Sequence, residues 1–224
     1  MLAMKALIGK QVELTISGIK TKIQGKLIDL GSDIIVLHNG KKFLYIPLLH
    51  LQQLALAEET ALDYDNSIIH PEPPFENQTD ISYRKILMNA KGVFSEIYTS
   101  GNQSIHGYVT SIMNDFFVFY SPVFHAVYIP MQHLKYMIPY DSNVTPYSLT
   151  QERFPLSPTT VTLARTFDQQ LKKLEGQFVI LDLGEHPNKI GQLKSIQNSL
   201  IELIAADGET VFLHLDHIKT VHLP

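Results

Sequence analysis

The chain has 224 residues, 45% of them apolar and 18% charged, and a formal net charge of −4. The length and apolar share fit a globular protein with a sizeable core. The acidic balance argues against a chain built to coat nucleic acid, whose affinity rests on Lys and Arg at phosphates. There is no cysteine, which excludes disulfides, thiolate catalysis and cysteine-held zinc and fits a reducing compartment.

The opening Met1 to Lys10 is too short for a signal peptide and has no cleavage-type site. No run approaches the roughly 18 apolar residues of a membrane helix, so the chain is read as cytoplasmic. Met1 to Ile8 has helical character and ends at Gly9. Gln11-Val12-Glu13-Leu14-Thr15-Ile16 then places an apolar residue at every second position, the period of a half-buried strand. The next strand, Ile23 to Ile28, surrounds Gly25, and a glycine inside a strand marks a bulge or bend. A third strand, Ile34 to His38, leads to Asn39-Gly40, a favourable hairpin pair. The fourth ends at Ile46, because Pro47 has no N–H to give a ladder. A tight turn carrying His50 introduces a short fifth strand.

The same landmarks return twice. The wording IPLLHLQQL (Ile46 to Leu54) recurs as IPMQHLKYM (Ile129 to Met137) and LHLDHIKTV (Leu213 to Val221). The shared histidines His50, His133 and His217 stand 83 and 84 residues apart. Gly9 and Gly25, Gly92 and Gly107, and Gly176 and Gly191 are separated by 16, 15 and 15 residues. From the second glycine to the histidine is 25, 26 and 26 residues. Four landmarks held this closely in three segments define a divergent internal repeat. In the second copy a helix is predicted over Asp80 to Asn89, and the third strand reads Phe116-Phe117-Val118-Phe119-Tyr120. In the third, Leu163, Phe167, Leu171 and Leu174 form a helical stripe, with a third strand at Leu200 to Ile204 and a turn at Asp207-Gly208. The expected organisation is 1–57, a basic unit; 58–79, a connector; 80–140, an aromatic-rich unit; 141–161, a connector; and 162–224, an acidic unit. Pro71, Pro73, Pro74, Pro146, Pro155 and Pro158 stiffen the connectors. The carboxylates Glu58, Glu59, Glu72 and Glu76 are read there as solvated charge.

Helix, five strands, a sharp bend in the second strand and a tight turn before the fifth: this order resembles the Sm-like family of small barrels, kin to SH3-like barrels. The run from Gly191 through Leu193 and Asn198 to Leu203 is similar to that family's first motif, a Gly-x-Leu strand, a hairpin and an apolar strand. The resemblance implies an all-β fold with short helices: three tandem five-stranded Sm-like barrels, each preceded by a helix. It extends to Bacillus-type proteins with such repeats, some described as spore-coat-like, which adds a spore-associated setting to the expectation. It also implies edge-to-edge joining into rings, the fourth strand of one barrel against the fifth of the next. A dimer of this three-unit chain would then form a six-barrel ring. Many Sm-like proteins bind RNA through an Asp and an Asn in the first-motif loop and an Arg-Gly pair before the last strand. This chain departs from that pattern: Ile46-Pro47, Ile129-Pro130 and Leu213-His214 stand at the Arg-Gly position. Asn114 and Asn198 lie in the loops, where Asn also serves by tolerating positive φ.

The residues offer little chemistry. No nucleophile elbow, phosphate loop or His-Glu-x-x-His occurs, and no catalytic residue, metal site or cofactor is predicted. His50, His133 and His217 are read as structural turn residues, together with Gly25, Gly107 and Gly191. His214, His217 and His222 are spaced for opposite strand faces, against joint ligation. Charge instead runs along the chain: +4 from Lys5 to Leu54, balanced from Ala90 to Tyr140, −4 from Leu174 to Pro224. Phe116, Val118, Tyr120, Phe124 and Tyr128 form a candidate protein interface, burial within the chain being the alternative. The expected function is a non-enzymatic protein-interaction or assembly module, with a protein partner or self-association. The alternative is RNA or single-stranded nucleic acid bound through Lys20, Lys22, Lys26, Lys41 and Lys42.

Overall fold

A computed structural model describes residues 2–57, 72–75, 81–101, 103–141, 143–144, 146–148 and 162–224. Much of both connectors lies outside them, including Glu58, Glu59, Glu76, Pro71, Pro155 and Pro158, as does the predicted helix start Asp80. The protein is mostly β-sheet, with a few short helices, and so all-β in class. The helices are α1 (Leu2–Lys5), α2 (Tyr83–Asn89) and α3 (Phe167–Lys172), each shorter than its predicted stretch.

The strands of the first repeat are β1 (Gln11–Ile16), β2 (Ile23–Leu30), β3 (Ile34–His38), β4 (Phe43–Pro47) and β5 (Leu51–Leu56). Those of the second are β6 (Phe94–Ser100), β7 (Gln103–Ile112), β8 (Phe116–Ser121), β9 (His125–Pro130) and β10 (Tyr136–Pro139). The third has β11 (Phe178–Leu181), β12 (Ile190–Gln197), β13 (Leu200–Ile204), β14 (Thr210–His214) and β15 (Val221–His222). In every repeat a single 3-10 turn, ending on the shared histidine, joins the fourth strand to the fifth: Leu48–His50, Met131–His133 and Leu215–His217.

The chain divides into two compact units, Met1–Ser104 with Lys135–Val144, and Ile105–Leu134 with Thr145–Pro224. Two of the three boundaries, after Ser104 and after Leu134, fall inside the second repeat. In the first unit the strands form one antiparallel sheet ordered β6-β10-β4-β3-β2-β1-β5, and in the second one ordered β14-β13-β12-β11-β15-β9-β8-β7.

Local chemistry explains the repeated shape. Val12, Leu14 and Ile16 are buried while Gln11, Glu13 and Thr15 are half-exposed, as the two-residue period requires. The second strand carries a register shift at one place in all three repeats: Leu27/Asp29, Val109/Ser111 and Leu193/Ser195. Just before it the glycine lies against the third strand. A Cβ on Gly25, Gly107 or Gly191 would sit 2.6, 2.0 or 2.1 Å from the carbonyl oxygen of His38, Tyr120 or Ile204. Only glycine lets the two backbones meet there. In the hairpins, Asn39 Oδ1 accepts the amides of Lys41 and Lys42, and Asp207 Oδ1 that of Glu209, while Gly40 and Gly208 take φ of +87° and +83°.

Candidate interaction surface

Each unit contains a seam where one repeat meets the next, and both are built alike. The fourth strand of one repeat pairs with the fifth strand of the following one: β4 with β10 at Tyr45 opposite Met137, and β9 with β15 at Tyr128 opposite Val221. The loop aspartate after the second strand caps the next repeat's helix. Asp33 Oδ1 accepts from the Tyr83 amide at 2.8 Å, and Asp115 Oδ1 from the Phe167 amide at 2.9 Å. The turn histidine bonds across as well. His50 Nδ1 lies 3.1 Å from Lys135 Nζ, and His133 Nε2 lies 2.9 Å from the Asp216 carbonyl.

Three of the five predicted interface residues belong to the second unit's own core. Phe116, Val118 and Tyr128 are buried with Leu171, Val179 and Leu203, and the Phe116 ring meets Phe167 of α3 at 6.0 Å. The strand Phe116–Phe119 is covered on both faces, so its aromatic side is spent inside the molecule. Tyr120 and Phe124 are half-exposed, Tyr120 near His125 and Phe124 edge-on to His222 at 5.4 Å. Of the five lysines, Lys22 is bound to Glu13, whose carboxyl this hydrogen bond and one from Gln24 hold below the usual range. Lys42 reaches Glu96 at 3.3 Å and lies over the Tyr140 ring. Lys20 and Lys41 are exposed and Lys26 half-buried.

The exposed apolar surface lies elsewhere, on the third repeat. Phe178 is opposite Gln192, Gln192 opposite Ile204, and Ile204 opposite Thr210. With a period of two, Phe178, Leu200, Ile204 and Phe212 therefore share one sheet face. Phe178, Leu200 and Phe212 are 51%, 42% and 63% exposed. An open groove of about 500 Å³ continues from Phe178 and Ile204 to Gly184, Pro187 and Ile190. Glu202 sits among these residues, and hydrogen bonds from Lys194 and Ser195 keep its carboxyl low. The sequence did carry a signal for Phe212: it stands five residues before the repeat histidine, as Tyr45 and Tyr128 do.

One buried acid escaped the sequence reading. Asp182 accepts from the Lys219 and Thr220 amides and pairs with Lys189 Nζ at 2.6 Å, fixing the loop between β11 and β12. Among the described residues no group of three or more His, Asp or Glu is placed to hold a metal. Rings of His214 and His217 are 5.5 Å apart, while His222 is buried by Phe124. No described helix is long and apolar enough to cross a membrane.

Comparison with known proteins gives two matches. Residues 166–221 fit a family model described as the YwrJ third domain. Over 215 residues the chain is 48% identical to the uncharacterized protein YwrJ of Bacillus subtilis (strain 168), covering 95% of both chains.

Proposed function

We propose that this chain, which belongs to the YwrJ family, is a non-enzymatic interaction and assembly module built from three tandem Sm-like barrels. The observation that carries the reading is the exposed apolar side chains Phe178, Leu200 and Phe212 on one face of the third repeat, next to an open apolar groove. An exposed apolar patch with a polar rim marks a surface that meets another macromolecule. The Sm-like part rests on the recurring order of helix and five strands, the bulged glycine strand, and the pairing of fourth with fifth strands in both seams. The family model described as a third domain matches residues 166–221, within the proposed third repeat, 162–224, and this supports a reading of the chain as three repeats. The cytoplasmic and spore-associated setting belongs to the same proposal.

Affinity purification of the tagged full-length chain from its native cell, with protein and RNA both identified, tests the reading. The expected result is a specific protein partner, this chain included, and an ultraviolet absorbance ratio free of nucleic acid. Co-purified RNA, held with an affinity that falls steeply with salt, would overturn it in favour of the lysine-rich first repeat.

A further inference from the structure

We infer that the second unit binds an uncharged aromatic molecule carrying a hydroxyl group, in a cleft beside the β11–β12 loop that ends at the imidazole of His222. The inference needs no macromolecular partner and goes beyond the assembly reading. Two open grooves adjoin at this loop, both lined by residues of the second unit. One, of about 500 Å³, lies between Phe178, Pro187, Ile190, Ile204 and Ala205. The other, of about 370 Å³, lies between Phe124, His125, Leu183, Ile190 and His222. Gly184 and Ile190 line both, so the grooves share a wall. Each volume falls within the range of small-molecule sites, about 300–1,000 Å³.

The lining sets the chemistry of the guest. The first groove has Gln192 as its one polar side chain, and the second has His125 and His222. His222 is 5% exposed, and its Nδ1 is buried with no hydrogen-bond partner among the described residues. Buried polar groups are ordinarily paired, and one left unpaired costs free energy. A hydroxyl both donates and accepts, so it bonds the imidazole whichever ring nitrogen holds the proton. An anion does not fit: burial first, and His125 second, disfavour the charged imidazolium that would balance it. The third repeat's balance of −4 repels an anion as well. Each groove also carries an aromatic side chain, Phe178 at 51% exposure and Phe124 edge-on to His222, with ring faces and edges that suit a planar guest.

The backbone around the cleft is held in an unusual shape. Asp182, Leu183 and Gly184 take φ of +49°, +57° and +73° in succession, and His125 takes +55°. Non-glycine residues in this left-handed region are uncommon and cluster at ligand clamps, where the surrounding structure over-determines them. Here Asp182 supplies the restraint: its carboxylate accepts from the Lys219 and Thr220 amides and from Lys189 Nζ. Gly184 adopts its φ without strain and leaves room in the shared wall, since a Cβ there would lie 3.1 Å from Ile190 Cδ1. The wall is thus fixed by the fold itself, and a preformed site has little ordering left to lose on binding.

Titration of the full-length chain with 2-naphthol tests the inference against two matched probes: naphthalene, which lacks the hydroxyl, and 2-naphthoate, which carries a charge. 2-Naphthol is expected to bind saturably and about two- to tenfold more tightly than naphthalene, the worth of one hydrogen bond. 2-Naphthoate is expected to bind more weakly than either. In two-dimensional amide spectra of the wild type, the Gly184, Ile190 and His222 signals are expected to shift with 2-naphthol. His222→Phe keeps a ring beside Phe124 and is expected to bind 2-naphthol and naphthalene alike. Val123→Trp enlarges a lining residue that is 67% exposed, and is expected to weaken both without moving the urea midpoint. No saturable binding of 2-naphthol, amide shifts elsewhere in the chain, or an undiminished hydroxyl preference in His222→Phe overturns the inference. The titration uses no partner, so its failure leaves the assembly reading standing.

Discussion

Asp115 in the β7–β8 loop caps the first amide of α3, its Oδ1 accepting from Phe167 N–H at 2.9 Å. The N-cap residue of that helix, Thr166, gives no side-chain cap of its own, so a residue distant in sequence supplies it. Asp33 does the same for Tyr83 at the start of α2. Asp115→Ala and Asp33→Ala are each expected to lower stability by about 1 kcal/mol, within the usual span of about 0.5–2 for a lost cap. Asn at either site keeps an acceptor and is expected to recover most of the loss. Urea unfolding midpoints of the six-member set, wild type and double variant included, measure it.

The bulge glycines and the turn glycines are expected to respond differently to alanine. At Gly208, φ is +83° and a Cβ meets nothing within 4 Å, so Gly208→Ala carries only the left-handed backbone cost of about 1–2 kcal/mol. At Gly191 the new Cβ would lie 2.1 Å from the Ile204 carbonyl oxygen, and β12 must part from β13. Gly191→Ala is expected at or beyond the top of the about 1–3 kcal/mol that overpacking costs. Equal losses in the two variants, measured by thermal or urea unfolding, would contradict this account.

Phe116, read from the sequence as a candidate interface residue, and Phe212 are expected to respond very differently to truncation. Phe116 is fully buried against Phe167 and Tyr128, so Phe116→Ala is expected to cost about 3–5 kcal/mol. Phe212 is largely exposed, so Phe212→Ala is expected to change the stability of an unassembled chain by no more than about 0.5 kcal/mol. Denaturation below the micromolar range, where chains are dispersed, separates the two.

The contrast between these two residues shows how far the sequence was readable. Strands followed from local pattern: the alternation in Gln11–Ile16 and the Asn39-Gly40 and Asp207-Gly208 turns are nearest-neighbour chemistry, and the structure has those strands and turns. The fourth strands, by contrast, run one residue past the expected ends at Ile46 and Ile129, to Pro47 and Pro130, which stand opposite Ile34 and Phe116. Which face of a strand is covered is a long-range matter. Val118 matches the half-buried Glu202 in the repeat and Phe116 the exposed Leu200, yet Phe116 and Val118 lie in a core with residues of α3 and β11, while Phe212 is largely exposed. Helix ends were misjudged for a similar reason, since Ser82 and the distant Asp33 fix the start of α2. Asp182 was illegible because its partners, Lys189, Lys219 and Thr220, converge only after β11 and β15 pair.

His222 is expected to make stability fall on mild acidification. Its ring is buried edge-on to Phe124, and burial first, with the His125 charge second, holds its pKa below the ordinary 6.5. The unfolded chain therefore binds a proton there more readily than the folded one, and stability rises with pH across the interval between the two pKa values. The contribution is complete above about 6.5, the unfolded value, and is lost as pH falls through the lowered folded value. His222→Phe keeps an aromatic ring against Phe124 and removes the titration. Its urea midpoint is expected to drop less than the wild type's between pH 7 and pH 5. Parallel curves for the two proteins over that interval would show that His222 titrates alike in both states.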